Sequence, residues 1–359
     1  MLGISFYPDK ESIADIQAYI RKAAKLGYRR CFTSLLELGK NADDTIDRYQ
    51  QVIETARENH MAVILDVNPS IFEALDISYK DLHFFKDIGA TGIRLDSNFD
   101  GLEESLMSFN EFGLDIELNM SNDSSPIFDF QPNMTHVIGC HNFYPQPFTG
   151  LSLDYFMKCS AYYKQKGMRT AAFVTAATGV DGPHDYNDGL PTLEMHRKMD
   201  IVTQAKHLIA TGLIDDIIIS NAIPDDAELE ALSQLDQSQL KLAVDPVASI
   251  SPVEQEILFE NQHFNRGDIN EYSIRSTFVR VKYQTADIPE FNAVDQLQPG
   301  DITIGNNSFG QYKGELGLVT KPMPNVGGHK NVVGHVTTSN QFLIPYITSW
   351  SKFKFEVNE

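Results

Sequence analysis

Five stretches of the chain share one pattern: a helical segment, a Gly, two to four residues and then a strand. They read AKLGYRRCFTSL, KDIGATGIRLD, NEFGLDIELN, KQKGMRTAAFV and IATGLIDDIIIS, with Gly27, Gly89, Gly113, Gly167 and Gly212 at the junctions. A Gly just past a helix can take the left-handed conformation that caps it, and a short loop then feeds a strand. This is the αβ half of a βα unit. Its recurrence points to the α/β class.

Eight strands are expected: LGISFY, RCFTSLL, AVILDV, GIRLD, LDIELN, THVIGC, TAAFV and DIIIS. Amphipathic segments lie between most of them. ESIADIQAYIRKAAKL, for example, carries Ile13, Ile16, Tyr19, Ile20, Ala23 and Ala24 at helical spacing. Eight β/α units in about 220 residues predict a (β/α)8 TIM-type barrel. A doubly wound sheet is the alternative, but no Gly-rich phosphate loop follows any strand to support its dinucleotide-binding version. After the fifth strand, SNDSSPIFDFQP is too short and Pro-rich for a full helix, so one barrel helix should be reduced there.

Near residue 240 the texture changes. KLAVDPVASISPVEQEILFENQ reads as a linker plus one short helix. Alternating β-type runs follow, such as EYSIRSTFVRVKY, GDITIGN and KNVVGHVT, with turn clusters between them. The expected division is a barrel domain over 1–240 and a small all-β domain over 245–359.

Composition limits the partners. The net charge is −20, which repels a phosphate backbone and argues against nucleic-acid binding. No apolar run approaches the ~20 residues of a membrane span, so no membrane partner is expected. MLGISFYPDKES lacks the basic and apolar regions of a secretory signal, and the three cysteines show no CxxC spacing. Both features predict a cytoplasmic protein. The sequence leaves a homo-oligomer open.

In a barrel of this kind, chemistry sits at the C-terminal ends of the strands. Those ends carry Thr33 and Ser34, Asp66 and Asn68, Arg94 and Asp96, Glu117, Asn119 and Ser121, then His141, Asn142 and Tyr144, and finally Ser220 and Asn221. Alternation puts Arg94 and Asp96 on one face, and Glu117, Asn119 and Ser121 on another. The opposite faces hold Ile93, Leu95, Ile116 and Leu118, which should point outward to the helices. Arg94 is then expected inside the mouth, paired with Glu117 or Asp96. One Arg cannot neutralise Asp66, Asp96 and Glu117 together, so carboxylate chemistry is expected. Glu194, in the PTLEMHR that closes a long polar loop, joins this set. Thr192 reads as an N-cap there.

GCHNFYPQPFTGLS sets Cys140 beside His141. Adjacent residues on a strand point to opposite faces, so the two cannot form a dyad with each other. Cys140 is expected to pack. The stretch reads as a pocket wall in which His141, Asn142 and Tyr144 contact ligand and an aromatic faces a sugar. No metal spacing such as HxxxH or HxH occurs, and neither metal nor cofactor is expected.

The motifs GISFYPD, FTSLL, DVNPS, IRLD, IELNMS, GCHNFYPQPFTGLS, GLPTLEMHR and DDIIISN resemble those of the bacterial 6-phospho-N-acetylmuramidases, glycoside hydrolase family 170. The resemblance extends over the whole chain and implies a cyclophilin-like C-terminal domain. It implies cleavage of N-acetylmuramic acid 6-phosphate from N-acetylglucosamine in the cytoplasm, during recycling of cell-wall fragments. The expected partner is therefore a small anionic phosphosugar. Glycoside hydrolysis needs two carboxyl groups, one protonated and one ionised, and Asp66, Asp96, Glu117 and Glu194 are the candidates. The phosphate needs cations, and HFNRGDINEYSIRST offers Arg266 and Arg275 beside Ser276. A metal-dependent sugar-phosphate enzyme and a non-catalytic sugar-phosphate-binding protein are the competing classes.

Overall fold

The computed structural model describes residues 1–35, 42–95, 100–179 and 182–358. They divide into two compact units, Met1–Leu235 and Asp236–Glu359.

The first unit has eight strands: β1 (Leu2–Ser5), β2 (Arg30–Leu35), β3 (Ala62–Val67), β4 (Gly92–Leu95), β5 (Asp115–Asn119), β6 (Val137–Cys140), β7 (Arg169–Val174) and β8 (Asp216–Ile219). Each pairs in parallel with the next, and β1 pairs with β8, so the sheet closes into a TIM-type barrel. Closure rules out the doubly wound alternative. The helices are α1 (Ile13–Lys25), α2 (Ala42–Glu58), α3 (Pro69–Ala74), α4 (His83–Asp87), α5 (Gly101–Met107), α6 (Leu153–Gln165), α7 (Ile201–Thr211) and α8 (Asp226–Ser233).

Local chemistry sets these elements. Ser12 caps α1 by accepting the N–H of Asp15, and Ile16, Tyr19, Ile20 and Ala23 form its buried stripe. All five junction glycines have positive φ, from +66° at Gly212 to +95° at Gly27 and Gly89, where a side chain would be strained. Between β5 and β6 only two 3-10 turns form, Pro126–Phe130 and Met134–His136. Ile127 is fully buried there and supplies the apolar contact that a helix would have made.

Two apolar layers result. Ile93, Leu95, Ile116 and Leu118 face outward into the barrel–helix core with Ile16 and Ile20. Phe32, Cys140, Ala171, Phe173 and Ile218 form a separate cluster inside the barrel. Cys140 thus packs within the barrel, while its neighbour His141 turns toward α6.

The second unit contains β9 (Leu240–Pro246), α9 (Pro252–Phe259), β10 (His263–Phe264), β11 (Ser273–Ser276), β12 (Gln296–Leu297), β13 (Asp301–Gly305), β14 (Leu316–Val319), β15 (Met323–Pro324), β16 (Lys330–Val336), α10 (Thr338–Gln341) and β17 (Lys352–Val357). Seven strands make one sheet in the order β10-β17-β9-β16-β13-β14-β11. The KLAVDP stretch read as linker is β9, an inner strand of this sheet with Leu242 and Val244 fully buried. The division therefore falls before β9 rather than within it. A strand of this length that runs straight into Pro246 resembles a linker until its partners β16 and β17 are known.

Candidate active site

Two adjoining cavities open at the C-terminal ends of the barrel strands. The larger, about 560 Å³, is lined by Tyr7, Asp9, Lys10, Thr45, Tyr49, Asn68 and Asp185, together with Ser34, Pro183 and His184. The smaller, about 120 Å³, shares Ser34, Pro183 and His184 and adds Asp66, Arg94, Asn142, Phe143, Pro145 and Phe173.

The centre of the smaller cavity is an ion pair between strand ends. Arg94 Nη1 donates to Asp66 Oδ1 at 2.6 Å, and Ser34 Oγ donates to Asp66 Oδ2 at 3.0 Å. Arg94 Nη2 also donates to Asn142 Oδ1. The first two contacts fix the orientation of Asp66 from β2 and β4, and the third ties Arg94 to the β6 loop. An aromatic wall stands beside them. Phe143 packs edge-on against Phe173 at 5.0 Å and Phe32 at 6.0 Å. At the lip of the larger cavity, Asp9 Oδ2 lies 3.0 Å from the Tyr49 hydroxyl, which is also 2.6 Å from the Ser34 carbonyl oxygen.

Glu117 is elsewhere. It is fully buried, and its Oε2 accepts from Arg30 Nη2. Arg30 also donates to Asp216 at 2.8 Å, and Asp216 accepts from Arg169 at 2.7 Å. Arg30, Arg169 and Asp216 are the first residues of β2, β7 and β8, so Glu117 belongs to a network at the opposite end of the barrel. Of the two pairings expected for Arg94, the one with Asp96 lies outside the described residues, and the one with Glu117 is replaced by Arg94–Asp66 and Arg30–Glu117. Strand tilt is the reason. One register line runs Ser34–Asp66–Arg94–Glu117–Ile138–Arg169, from near the end of β2 to the start of β7. Equal register is therefore not equal height. Burial pushes the Glu117 carboxyl up against the pull of Arg30 and Arg94, and its Oε1 has no hydrogen-bond partner among the described residues.

Glu194 is a clamp. It takes a two-pronged contact from Arg197, at 2.8 and 2.7 Å, and accepts the N–H groups of Phe148 and Gly150 at 2.9 and 2.8 Å. The Arg197 fork lowers its carboxyl to about 2, which leaves no proton to donate near neutrality. Arg197 also donates to the carbonyl oxygens of Tyr144, Gln146, Asp188 and Gly189, so the pair ties the β6 loop to the chain before the 3-10 turn Glu194–His196. Gly150 is required by this closeness: a Cβ would sit 2.8 Å from the Glu194 N and Oε2 atoms. Thr192 is not an N-cap. Its hydroxyl accepts the N–H of Phe173 and donates to the carbonyl of Asn142, both at 2.9 Å.

The remaining expected residues divide. His141 is fully buried, held by Ser160 at 2.8 Å and Ser121 at 3.3 Å, and burial pushes it down to about 3. It is a neutral packing residue rather than a ligand contact. Asn119 turns back to accept the N–H of Ser121 at 2.9 Å and borders a cavity on the Glu104 side of β5. Tyr144 donates its N–H to the Pro191 carbonyl at 3.1 Å, and burial raises its phenol. Asp96 lies outside the described residues.

Arg266 and Arg275 lie side by side, the Arg266 N–H donating to the Arg275 carbonyl at 3.2 Å, but Ser276 does not join them. Arg266 pairs with Asp268 at 2.6 Å, and Arg275 with Glu315 at 2.7 Å. Ser276 is buried against His263 at 3.0 Å. Arg275 and Ser276 are adjacent on β11, so they point to opposite faces, as Cys140 and His141 do.

The lip residues Asp9, Lys10, His184 and Asp185 were missed by reading strand ends. They sit on loops, where alternation gives no direction. The available signal was YPDK, directly after the first strand. Among the described residues, no group of three or more His, Cys, Asp or Glu is placed to hold a metal ion. None of their helices is long and apolar enough to cross a membrane.

The profile of the 6-phospho-N-acetylmuramidase N-terminal domain matches residues 2–234, and that of the C-terminal domain matches 240–356. The chain belongs to the 6-phospho-N-acetylmuramidase family. It is a glycosidase. Among solved structures, an uncharacterized B. cereus protein is 46% identical over 99% of both chains, with a TM-score of 0.91. A conserved Enterococcus faecalis protein of unknown function is 25% identical over 100% of this chain and 96% of its own, with a TM-score of 0.70. No curated protein matches the chain.

Proposed function

We propose that the barrel mouth hydrolyses the bond between N-acetylmuramic acid 6-phosphate and N-acetylglucosamine, in the cytoplasm, as a step in cell-wall recycling. The observation that carries this is the pair of adjoining cavities with carboxylates in both. Asp66 is held among Ser34, Arg94 and Asn142, and Asp9 stands at the lip with Tyr49. Glycoside cleavage divides two roles between two carboxyl groups. Asp66, its charge balanced by Arg94 at 2.6 Å, takes the ionised role, as nucleophile or as base toward water. Asp9, whose described partner is a hydroxyl rather than a cation, takes the role of proton donor to the leaving oxygen. Asn142 orients the sugar through its hydroxyls. Phe143, partly exposed over Phe173, gives the ring an apolar face.

The test is turnover of a chromogenic N-acetylmuramic acid 6-phosphate glycoside by Asp66→Asn, Asp9→Asn and Asp96→Asn, with circular dichroism to confirm folding. Asp96 is included because it follows β4 directly. At least two of the three should lose on the order of a thousandfold in kcat, a few kcal/mol of barrier. Activity within tenfold in all three would remove the chemistry from this end of the barrel.

A further inference from the structure

The substrate of the reading above carries a phosphomonoester and a carboxylate, and so needs cations at the site. Among the described lining residues, the smaller cavity offers Arg94, already committed to Asp66 and Asn142. The larger cavity offers Lys10. Lys10 follows β1 in a turn closed by its N–H to the Tyr7 carbonyl at 2.9 Å. Its Nζ lies 2.5 Å from Asp185 Oδ1. The two ends of this ion pair are unequal. The Lys10 side chain is two-thirds covered, whereas that of Asp185 is 96% exposed, with Lys10 as its described partner.

An exposed carboxylate held by one lysine gains little from the contact, because water and salt screen it. Lys10 is the more covered partner of the two, and Asp185 the more exposed. A phosphomonoester carries close to two charges and three acceptor oxygens at neutral pH, against one charge and two oxygens for Asp185. It therefore outcompetes a carboxylate for Lys10. The lactyl carboxylate would only exchange like for like. Thr45 lines the same cavity and carries a hydroxyl of the kind that completes phosphate sites.

We propose that Lys10 is the specificity-determining residue for the 6-phosphate, and that Asp185 is a stand-in anion which the phosphate displaces. This rests on the glycosidase reading above and adds to it the group that selects phosphorylated sugars.

The two partners should respond in opposite directions. The full-length chain is assayed on the chromogenic N-acetylmuramic acid 6-phosphate glycoside and on its unphosphorylated twin. In Lys10→Met, the ratio of kcat/KM for the two should fall about thirtyfold, mainly through KM, as befits one charged hydrogen bond. Lys10→Arg should restore most of it. In Asp185→Asn the same ratio should rise a few-fold, because the competitor is gone. A ratio unchanged within about twofold in both variants, or one that falls equally in both, would overturn the proposal. Calorimetric titration with N-acetylmuramic acid 6-phosphate reads the same contact without turnover. Lys10→Met should weaken binding about tenfold or more. An enzyme inactive on both glycosides, but with this titration difference intact, would sink the hydrolytic reading and leave the phosphate site standing. Equal binding by wild type and Lys10→Met would sink the site alone.

Discussion

Two arginine–carboxylate pairs lie inside the same barrel, Arg30–Glu117 near the starts of the strands and Arg94–Asp66 near their ends. Both are buried, with side chains at most 6% exposed. The deep pair is continued by Asp216 and Arg169, all from strand starts, and opens into neither mouth cavity. The upper pair is continued by Ser34 and Asn142 and forms part of a cavity wall. The same chemistry therefore has two roles, and height along the barrel axis separates them. The deep pair is closed into its own network, with Glu117 Oε1 left without a partner among the described residues. The upper pair holds a carboxylate ready for something that enters.

That contrast predicts the largest effect for the deep pair and a structural one. Arg30→Met leaves Glu117 and Asp216 buried without their shared cation, which should cost about 3–5 kcal/mol in urea unfolding. Adding Glu117→Leu should recover part of that loss, because one of the two carboxylates left behind is removed. If Arg30→Met unfolds at the wild-type urea midpoint, the two pairs are not different in kind.

The upper pair should fail differently. Asp66→Asn keeps the hydrogen-bonding shape and lies at a wet cavity, so its stability loss should be smaller than that of Arg30→Met. Its kcat should still drop on the order of a thousandfold. A variant that loses stability and kcat in the same proportion as Arg30→Met would erase the distinction.

The clamp above the mouth gives a pH signature. Glu194 is lowered from 4.5 to about 2 by Arg197, so it adds stability above pH 4.5 and loses it as the pH falls through 2. Glu194→Gln should be less stable than wild type at neutral pH, and the two should converge as the pH approaches 2. Unfolding curves collected across that range would show parallel acid limbs if Glu194 were not clamped.

The smallest effect is expected at Cys140, inside the barrel among Phe32, Ala171 and Phe173. Cys140→Ser places a hydroxyl in an apolar layer, at a cost of about 1–3 kcal/mol. Turnover per folded molecule should stay within about tenfold, or 1.4 kcal/mol of barrier. A collapse of kcat with an intact fold would put a thiol in the chemistry.

Several of these features are legible in the sequence. The glycine junctions, the eight strands, the missing helix after β5 and the inward face of Arg94 and Glu117 follow from local rules. Alternation even set Cys140 and His141 on opposite faces. The same rule, applied to Arg275 and Ser276, would have separated those two as well. The division between the units was read a few residues late, because β9 is recognisable only beside β16 and β17.

The sequence by itself determined which elements form and which face of each strand is polar, because glycine geometry and two-residue alternation act within a few residues. Only the tertiary structure decided which polar residues meet. Strand tilt carries one register line from Ser34 near the mouth down to Arg169 at the base, so Asp66 and Glu117 share a register and part company in depth. Loop residues such as Asp9, Lys10 and Asp185 have no alternation to place them, and they come together only where the closed barrel brings its loops to one end.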